Sequence, residues 1–403
     1  MNILMFCSNQ VNGGTARVFY ELSTTLKGML EDTDRLIICV NKNNPVEIYK
    51  KIDGIVRLPV YSETEICFGM YGGNLLRRIV NRLRRRIKCR GVKRHNIEVM
   101  KDYLGRNQID AVVIHNGGYV GDDLCNQLLE ASYYCAEHTQ CRIYVMHSDM
   151  KKNMWSKLAF WTYDKKISKE ATELVTVSCF TRDRIIDSSF INREIKVINN
   201  GIANIHTFAM EEKQKIISVD PQKINILMIG NFQDNKGQHK FLEAAGELYK
   251  VNRKSHFTII GNVYSEDYYK KCNNLIENLG LRQQVSIYQE IHNASEFIDM
   301  FDILVVPSMR DESFGLISVE AMANQRPVVA FACGGIPEVV LDGRDGFVVP
   351  VGNTTLLVEK IQWLVMHPEE RKRMGKQGRE DYEHRFSVEV MAKSYLELIK
   401  STR

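Results

Sequence analysis

The sequence of 403 residues lacks the features that mark membrane-spanning, secreted or zinc-binding chains. No apolar run approaches the ~20 residues that a membrane-spanning helix needs. Residues 1–7 have the pattern of a core strand, without a basic start or a small-residue cleavage site, which predicts that no signal peptide is present. The ten cysteines are scattered singly, and neither a Cys-x-x-Cys pair nor a histidine pair at zinc spacing occurs. We therefore expect reduced thiols in a cytoplasmic protein and no structural metal.

Acidic residues are absent from 66–97, although the whole chain has a net charge of only +5. Removing the ten basic charges of this segment leaves about −5 on the rest, so the basic character is local. Four apolar residues, spaced by four, three and four positions, predict one stripe of an amphipathic helix over 75–94. The apolar positions are Leu76, Val80, Leu83 and Ile87, and the basic ones are Arg77, Arg78, Arg82, Arg84, Arg85, Arg86, Lys88, Arg90, Lys93 and Arg94.

A basic amphipathic helix of this kind suits an anionic membrane surface, where each basic residue contributes ~1 kcal/mol. The alternative is the solvated face of an ordinary helix, but ten like charges without an acidic partner repel one another. No aromatic residues are interleaved for base stacking, so we expect no nucleic-acid partner.

The length suits two domains, and short apolar runs alternate with longer amphipathic stretches, which is typical of βα repeats around parallel sheets. A polar stretch, 208–223, separates two sets of strands and is interpreted as a linker. Strands are predicted at 3–8, 36–40, 111–115, 142–147, 174–178 and 196–198, and then at 224–230, 257–261, 285–288, 303–307, 328–331 and 347–350.

Two glutamates, Glu312 and Glu320, lie eight positions apart directly after the predicted strand 303–307. In open α/β sheets, ligands bind at the carboxyl ends of such strands. A helix that starts near 314–317 would offer backbone amides to an anion, and the carboxylates could accept hydrogen bonds from sugar hydroxyls. Two solvent-facing charges on a helix are the alternative.

The ordered motifs around these glutamates resemble the C-terminal half of the retaining glycosyltransferases of family four, which have the GT-B fold. The resemblance covers about 224–386 well and the N-terminal half more loosely. It implies two Rossmann-like α/β domains with a cleft between them, 1–207 for the acceptor and 208–385 for the nucleotide sugar. The C-terminal helix, within 386–403, would cross back to the N-terminal domain. The motifs are Pro307-Ser308, Phe314-Gly315, Arg326-Pro327, Gly334-Gly335 and Asp342-Gly343.

The resemblance also implies roles at the donor site. Glu320 would bind the donor ribose, and Glu312 would bind the sugar hydroxyls. Lys236 would hold the diphosphate, whereas Asn231 stands where the family usually has an arginine and cannot supply that charge. Backbone amides would come from Phe314, Gly315 and Leu316.

In the N-terminal half, Gly13 and Gly14 follow the first strand and match the family's glycine loop, which approaches the donor phosphate. His147 ends a strand where family members commonly carry a histidine that contacts the transferred sugar. His115, at the end of another strand, is the rival candidate, and a structural role is the alternative for both. Glu312, His147 and Lys236 are thus the candidate catalytic residues.

A metal-binding Asp-x-Asp motif is missing from the strand ends, because Asp32 and Asp34 precede a strand. We therefore expect no metal and no other cofactor, with Lys236, backbone amides and helix dipoles neutralising the leaving diphosphate.

The sequence therefore predicts a retaining glycosyltransferase that moves a hexose or N-acetylhexosamine from a nucleotide-diphosphate donor to a glycan hydroxyl. The preferred acceptor is linked to polyprenyl diphosphate, as in bacterial surface polysaccharide assembly, and the protein would be peripheral at the inner face of the plasma membrane. Two alternatives stay open: a nucleotide-sugar epimerase of the same fold, and a non-catalytic basic adaptor that binds a membrane or nucleic acid.

Overall fold

The computed structural model describes residues 1–67, 75–116, 123–148, 158, 160–204 and 207–402, which form two compact units. The first unit comprises Met1–Gly201 and Met391–Arg403, and the second comprises Ile202–Val390. Each unit is built on one parallel sheet flanked by helices.

The first unit contains a seven-stranded sheet with the order β3-β2-β1-β4-β5-β6-β7. Its central strands are buried along their whole length, as expected when helices cover both faces of a parallel sheet. The strands are β1 Asn2–Cys7, β2 Arg35–Asn41, β3 Val56–Leu58, β4 Ala111–Asn116, β5 Cys141–Met146, β6 Glu173–Thr176 and β7 Lys196–Val197. The helices are α1 Gly14–Met29, α2 Glu63–Cys67, α3 Leu75–Arg106, α4 Asp123–Tyr134, α5 Trp161–Glu170 and α6 Cys179–Ser188.

The second unit contains a six-stranded sheet with the order β10-β9-β8-β11-β12-β13. The strands are β8 Ile224–Ile229, β9 Ser255–Ile260, β10 Val285–Tyr288, β11 Ile303–Val306, β12 Val328–Phe331 and β13 Gly346–Val349. The helices are α7 Met210–Ile216, α8 Gln238–Val251, α9 Glu266–Asn278, α10 Leu316–Ala323, α11 Ile336–Val339, α12 Thr354–Met366 and α13 Pro368–Asp381.

The last helix, α14 Val388–Ser401, belongs to the first unit from Met391 onward. Its buried residues include Ala392, Tyr395 and Ile399, which recur every three to four positions and so share one face. The Met391 sulfur accepts a hydrogen bond from the Gly201 amide at 3.2 Å. This apolar face is what attaches the helix to the first unit.

The predicted linker over 208–223 is wrong, because it contains α7 and packs into the second unit. Lys213 is buried, and its Nζ pairs with Asp299 Oδ2 at 2.7 Å. A polar residue of this stretch is therefore part of the packed interior of the second unit, which the polar sequence did not indicate. The second unit begins at Ile202, because the Ile202 amide donates to the Phe386 carbonyl and the Ile202 carbonyl accepts from the Val388 amide. The units thus divide six and five residues away from the predicted boundaries after 207 and 385.

The basic helix α3 runs twelve residues past the predicted end at 94. It continues because Ile97, Met100 and Leu104 are buried at helical spacing in the core of the first unit. Toward its start, Ile87 is 73% exposed among exposed basic residues. The side chains at 75–80 and 82–86, and with them most of the predicted stripe, lie outside the described part of the chain. Among the residues that are described, no helix is both long and apolar enough to cross a bilayer.

Candidate active site

The strand order of the second unit reverses between β8 and β11, which makes this the topological switch point of the sheet. The loop 230–237 follows β8, and the loop 307–315 follows β11. Because both strands are parallel neighbours, the two loops meet at the carboxyl edge of the sheet, where open α/β sheets bind their ligands.

Lys236 and Glu312 meet at this edge, with Lys236 Nζ 2.7 Å from Glu312 Oε1. The hydroxyl of Ser308 donates to the same oxygen at 2.6 Å. The lysine side chain is 34% exposed and the glutamate side chain 20%, so both are open to a ligand. Among the described residues, no hydrogen bond reaches Glu312 Oε2. The protein therefore occupies one carboxylate oxygen and leaves the other available.

Gly237 allows the two loops to lie this close. It has a φ of +77°, and a Cβ there would stand 1.9 Å from the Pro307 carbonyl oxygen. The Met309 amide donates to the Asn235 carbonyl at 2.8 Å and joins the loops again. Any side chain at Gly237 would therefore push the Lys236 loop away from the β11 loop.

Two further glycines hold the backbone of Glu312. Gly334 has a φ of +62°, and a Cβ on it would lie 2.1 Å from the Glu312 carbonyl oxygen. The Gly335 amide donates to that oxygen at 2.7 Å. The Gly-Gly pair thus positions the carboxylate through its main chain.

Helix α10 begins beside Glu312 and carries Glu320 on its second turn. Gly315 precedes the helix with a φ of +94°, a left-handed conformation that favours glycine. The Phe314 ring is buried edge-to-face against Phe386, with ring centroids 5.7 Å apart, which anchors the helix start. The first amides of a helix have no intrahelical acceptor, so Leu316 and its neighbour can meet an anion. Glu320 itself is 9% exposed.

Asn231, where an arginine is usual in the similar family, serves the fold. Its Oδ1 accepts from the Asn262 amide at 3.2 Å, and Asn262 Oδ1 accepts from the Glu290 amide at 2.7 Å. These two bonds fasten the ends of β8, β9 and β10 to one another. The side chain of Asn231 keeps its Nδ2 group for a ligand, and this amide group is neutral.

In the first unit, Gly13 and Gly14 are exposed and open helix α1 directly after the β1 loop. Gly13 is extended, with a φ of −178°, and nothing lies within 4 Å of the position of a Cβ there. The helix start is therefore open to a ligand. Arg17 pairs with the buried Glu21, one turn further along the helix, at 2.7 Å.

His115 and His147 are partners in the first unit. His115 Nδ1 lies 2.9 Å from His147 Nε2, and the rings stack with centroids 5.2 Å apart. His115 is fully buried, and His147 is 6% exposed. Burial lowers the pKa of His147 to about 4 and, together with repulsion from His147, lowers the pKa of His115 well below its ordinary value. Both rings are therefore neutral at pH 7.

A metal centre was not expected from the sequence. Across the described ranges, no group of three or more His, Cys, Asp or Glu side chains could hold a metal ion.

Residues 209–381 match the family described as Glycosyl transferases group 1, and they cover nearly all of the second unit, including both loops of the switch point. The second unit is a glycosyltransferase group 1 domain. In this domain lie Glu312, Glu320, Lys236, Asn231 and the residues 314–316, whereas Gly13, Gly14 and His147 belong to the first unit.

Known proteins and solved structures resemble this chain over different shares of its length. A protein in the cps region of Klebsiella pneumoniae, named as uncharacterized, is 27% identical over 308 residues, which are 74% of this chain and 80% of the relative. The capsular polysaccharide biosynthesis glycosyltransferase CapM of Staphylococcus aureus is 25% identical over 55% of this chain and 59% of the relative. The crystal structure of HepE from Anabaena in complex with UDP superposes with a TM-score of 0.76 at 15% identity, covering 100% of both chains.

These similarities confirm the predicted GT-B type of two Rossmann-like units, and they confirm a glycosyltransferase at the level of its group 1 domain. The roles of the individual site residues stay predictions.

Proposed function

We propose that the protein is a retaining glycosyltransferase that transfers a sugar from a nucleotide diphosphate to a glycan hydroxyl during polysaccharide assembly. The observation that carries this proposal is the Lys236–Glu312 pair at the switch point of the group 1 domain. The name of the S. aureus relative supports polysaccharide assembly, and the UDP in the HepE structure supports a nucleotide-sugar donor.

The diphosphate would bind between Lys236 and the start of α10. An ammonium has three donors, so Lys236 can keep Glu312 as one partner and still donate to phosphate oxygens. Asn231 would contribute its neutral Nδ2 group in place of an arginine. Glu320 would accept hydrogen bonds from the donor ribose, and Gly13 and Gly14 would offer amides to the phosphate.

The sugar would be held by Glu312 through Oε2, the oxygen that Lys236 and Ser308 do not use. His147 would contact the transferred sugar. No residue has to become a covalent nucleophile, because the leaving phosphate would help to deprotonate the incoming hydroxyl on the same face of the sugar.

No metal ion or other cofactor is required in this proposal. The charge that develops on the leaving diphosphate would be stabilised by Lys236 and by the helix dipole of α10, which are fixed in place before the reaction. Transfer should therefore persist in excess chelator. Complete loss with chelator and recovery with magnesium or manganese would contradict this part of the proposal.

The acceptor would be a glycan linked to polyprenyl diphosphate at the inner face of the plasma membrane, with the basic segment 75–94 at the lipid surface. Support comes from exposed basic residues around the exposed Ile87. Anionic lipid attracts such a segment.

The proposal is tested by a screen of nucleotide sugars for thermal stabilisation, since a ligand that binds only the folded state raises its apparent stability. The sugars that stabilise the protein are then assayed for transfer. We expect Glu320→Ala to weaken donor binding and Glu312→Ala mainly to lower turnover. Unchanged donor affinity in Glu320→Ala and Lys236→Ala, measured by calorimetry, would refute the site. Consumption of the donor without any acceptor would favour the epimerase instead.

A further inference from the structure

We infer that His115 is a positioning residue that holds His147 in the tautomer with hydrogen on Nδ1, so that His147 meets the substrate as a hydrogen-bond donor and not as a base. The identity of that substrate, a nucleotide sugar, rests on the proposed function. The tautomer itself rests on the geometry of the first unit and on the neutral state of both rings, and not on the substrate.

The two histidines are brought together by strand register. His115 lies opposite Val145 and Asn116 opposite Met146 in the parallel pair β4–β5, so His147 follows directly beyond the paired residues. The His147 amide donates to the Asn116 carbonyl at 3.3 Å and extends the ladder by one bond. The backbone thus places both rings at one strand end.

Only one hydrogen can occupy the 2.9 Å contact between His115 Nδ1 and His147 Nε2. Both rings are neutral, so each carries one N–H. If His115 Nδ1 donates, then His147 must carry its hydrogen on Nδ1. If His147 Nε2 donates, then His115 must carry its hydrogen on Nε2.

The surroundings of His115 favour the first arrangement. Its Nε2 is buried and has no hydrogen-bond partner among the described residues. The ring is enclosed by Phe19 and Tyr395, whose ring centroids lie 5.3 Å and 5.8 Å from that of His115. A buried N–H group without an acceptor is rarer in proteins than a buried acceptor without a donor. We therefore expect Nε2 of His115 to be unprotonated in these apolar surroundings.

In this arrangement Nδ1 is the nitrogen of His147 that carries the hydrogen. This Nδ1 makes no hydrogen bond to a described residue, so it is the ring nitrogen that the pair leaves for the substrate. Carrying the hydrogen, it can donate to a sugar hydroxyl or to a developing negative charge, but it has no lone pair with which to take a proton.

Two variants of His115 separate this role from simple packing. In His115→Asn the side-chain NH₂ group stands near the position of Nδ1 and can still donate to His147. In His115→Leu a side chain of similar size has no donor. Thermal unfolding of both variants measures their loss of stability, which should be larger in His115→Asn because its amide oxygen enters the apolar surroundings of Phe19 and Tyr395.

The tautomer is read directly by NMR of protein labelled with ¹⁵N-histidine, and His147→Gln assigns the signals among the ten histidines. We expect the Nδ1–H tautomer of His147 in the wild type and in His115→Asn, because each side chain can donate to His147 Nε2. In His115→Leu this nitrogen faces an apolar side chain and stays unprotonated without a donor, so that variant is compared by its kinetics and not by its tautomer. An Nε2–H tautomer in the wild type would overturn the inference.

Transfer kinetics supply the second measurement. Loss of one hydrogen bond that orients His147 should lower kcat by about tenfold in His115→Leu with little change in KM, and His115→Asn should restore most of it. Equal losses in the two variants would show that His115 only fills space. The NMR result needs no substrate, so a failure to find any transferred sugar would refute the proposed function while the tautomer is still decided.

Discussion

At the scale of the residue, Lys236 is the group on which the proposed donor binding should depend most. It is the described cation that pairs with Glu312 at the switch point, and Asn231 adds no charge beside it. Charge-assisted hydrogen bonds contribute about 1.5–3 kcal/mol, so Lys236→Ala should weaken donor binding by roughly 10- to 100-fold in calorimetry. Lys240→Ala is the control, because Lys240 pairs with Glu243 on the same helix and its loss changes the net charge equally. Similar losses in both variants would show a general effect of charge and not a diphosphate contact.

The histidine pair gives stability a dependence on pH with a definite sign. The folded pKa of His147 is about 4, and that of His115 is also lowered, whereas unfolded histidine titrates near pH 6.5. The unfolded state therefore binds more protons below pH 6.5, and the neutral pair stabilises the fold fully above that pH and progressively less as the pH falls toward 4. Glu170 and Asp345 act in the opposite direction, because burial raises the pKa of each to about 7, so their contribution is lost as the pH rises.

Comparing the wild type with His115→Leu separates the contribution of the histidine pair to stability from that of Glu170 and Asp345, which both proteins share. The difference in the free energy of unfolding between wild type and variant should shrink by about 1 kcal/mol per pH unit from pH 6.5 to 5. Urea unfolding at several pH values measures it, and the same change at exposed His138 serves as the control. A difference that stays constant with pH would mean that the pair does not titrate on unfolding.

At the scale of the element, the turn that begins at Gly334 supports the carboxylate of Glu312. Gly334 and Gly343 both have positive φ, but a Cβ on Gly334 would collide with the Glu312 backbone, whereas nothing lies within 4 Å of one on Gly343. An alanine at either site carries the left-handed strain of about 1–2 kcal/mol. Gly334→Ala should destabilise the protein by a further 1–3 kcal/mol or so, from overpacking, in urea unfolding. Equal destabilisation by the two substitutions would show that the turn moves aside without cost.

The elements also show what sequence patterns can predict. Buried parallel strands consist of short runs of apolar residues, so β1, β4, β8 and β11 could be predicted from such runs in the sequence. Strand β3 was missed because its three residues include Arg57 and give no run. The end of α3 was placed too early because the charge pattern stops at 94, while burial of Met100 and Leu104 continues the helix.

From the sequence, the candidate site could be predicted only as a set of residues that follow predicted strands. Lys236 and Glu312 were expected at the donor site because each follows a predicted strand, at whose carboxyl end open α/β sheets bind ligands. That β8 and β11 are neighbours at the switch point is seen only in the structure. The contact of Gly237 with Pro307 and the bond from Asn262 to Asn231 depend on the register of distant segments, which no local pattern carries. For the same reason His115 was treated as a rival of His147, although the register of β4 and β5 makes it a partner.

At the scale of the whole molecule, the charge is unevenly distributed, and the residues proposed for donor binding and for lipid binding lie in different units. The group 1 domain carries the residues proposed for the donor, and the first unit carries the basic start of α3. The rest of the chain is about −5 once the ten basic charges are removed from +5, so attraction to an anionic surface would be confined to that segment. Exposed Ile87 adds an apolar group among these charges. Lipid binding and donor binding should therefore respond to different substitutions.

The membrane prediction follows from this separation. Wild-type protein should sediment with vesicles that contain anionic lipid, and binding should weaken as salt rises, because exposed charges are screened beyond ~8 Å at physiological ionic strength. The variant with Arg82, Arg84, Arg85 and Arg86 changed to Glu should lose vesicle binding and keep donor binding. As a control with the same change in net charge, Lys250, Lys254, Lys270 and Lys271 of the second unit, all exposed, are changed to Glu. If attraction depends on the basic segment and not on total charge, the control variant keeps its vesicle binding. Transfer to a soluble acceptor should survive in both variants. Transfer to a lipid-linked acceptor should fall only in the arginine variant. Should the arginine variant still sediment with anionic vesicles, the start of α3 is merely a solvated helix face.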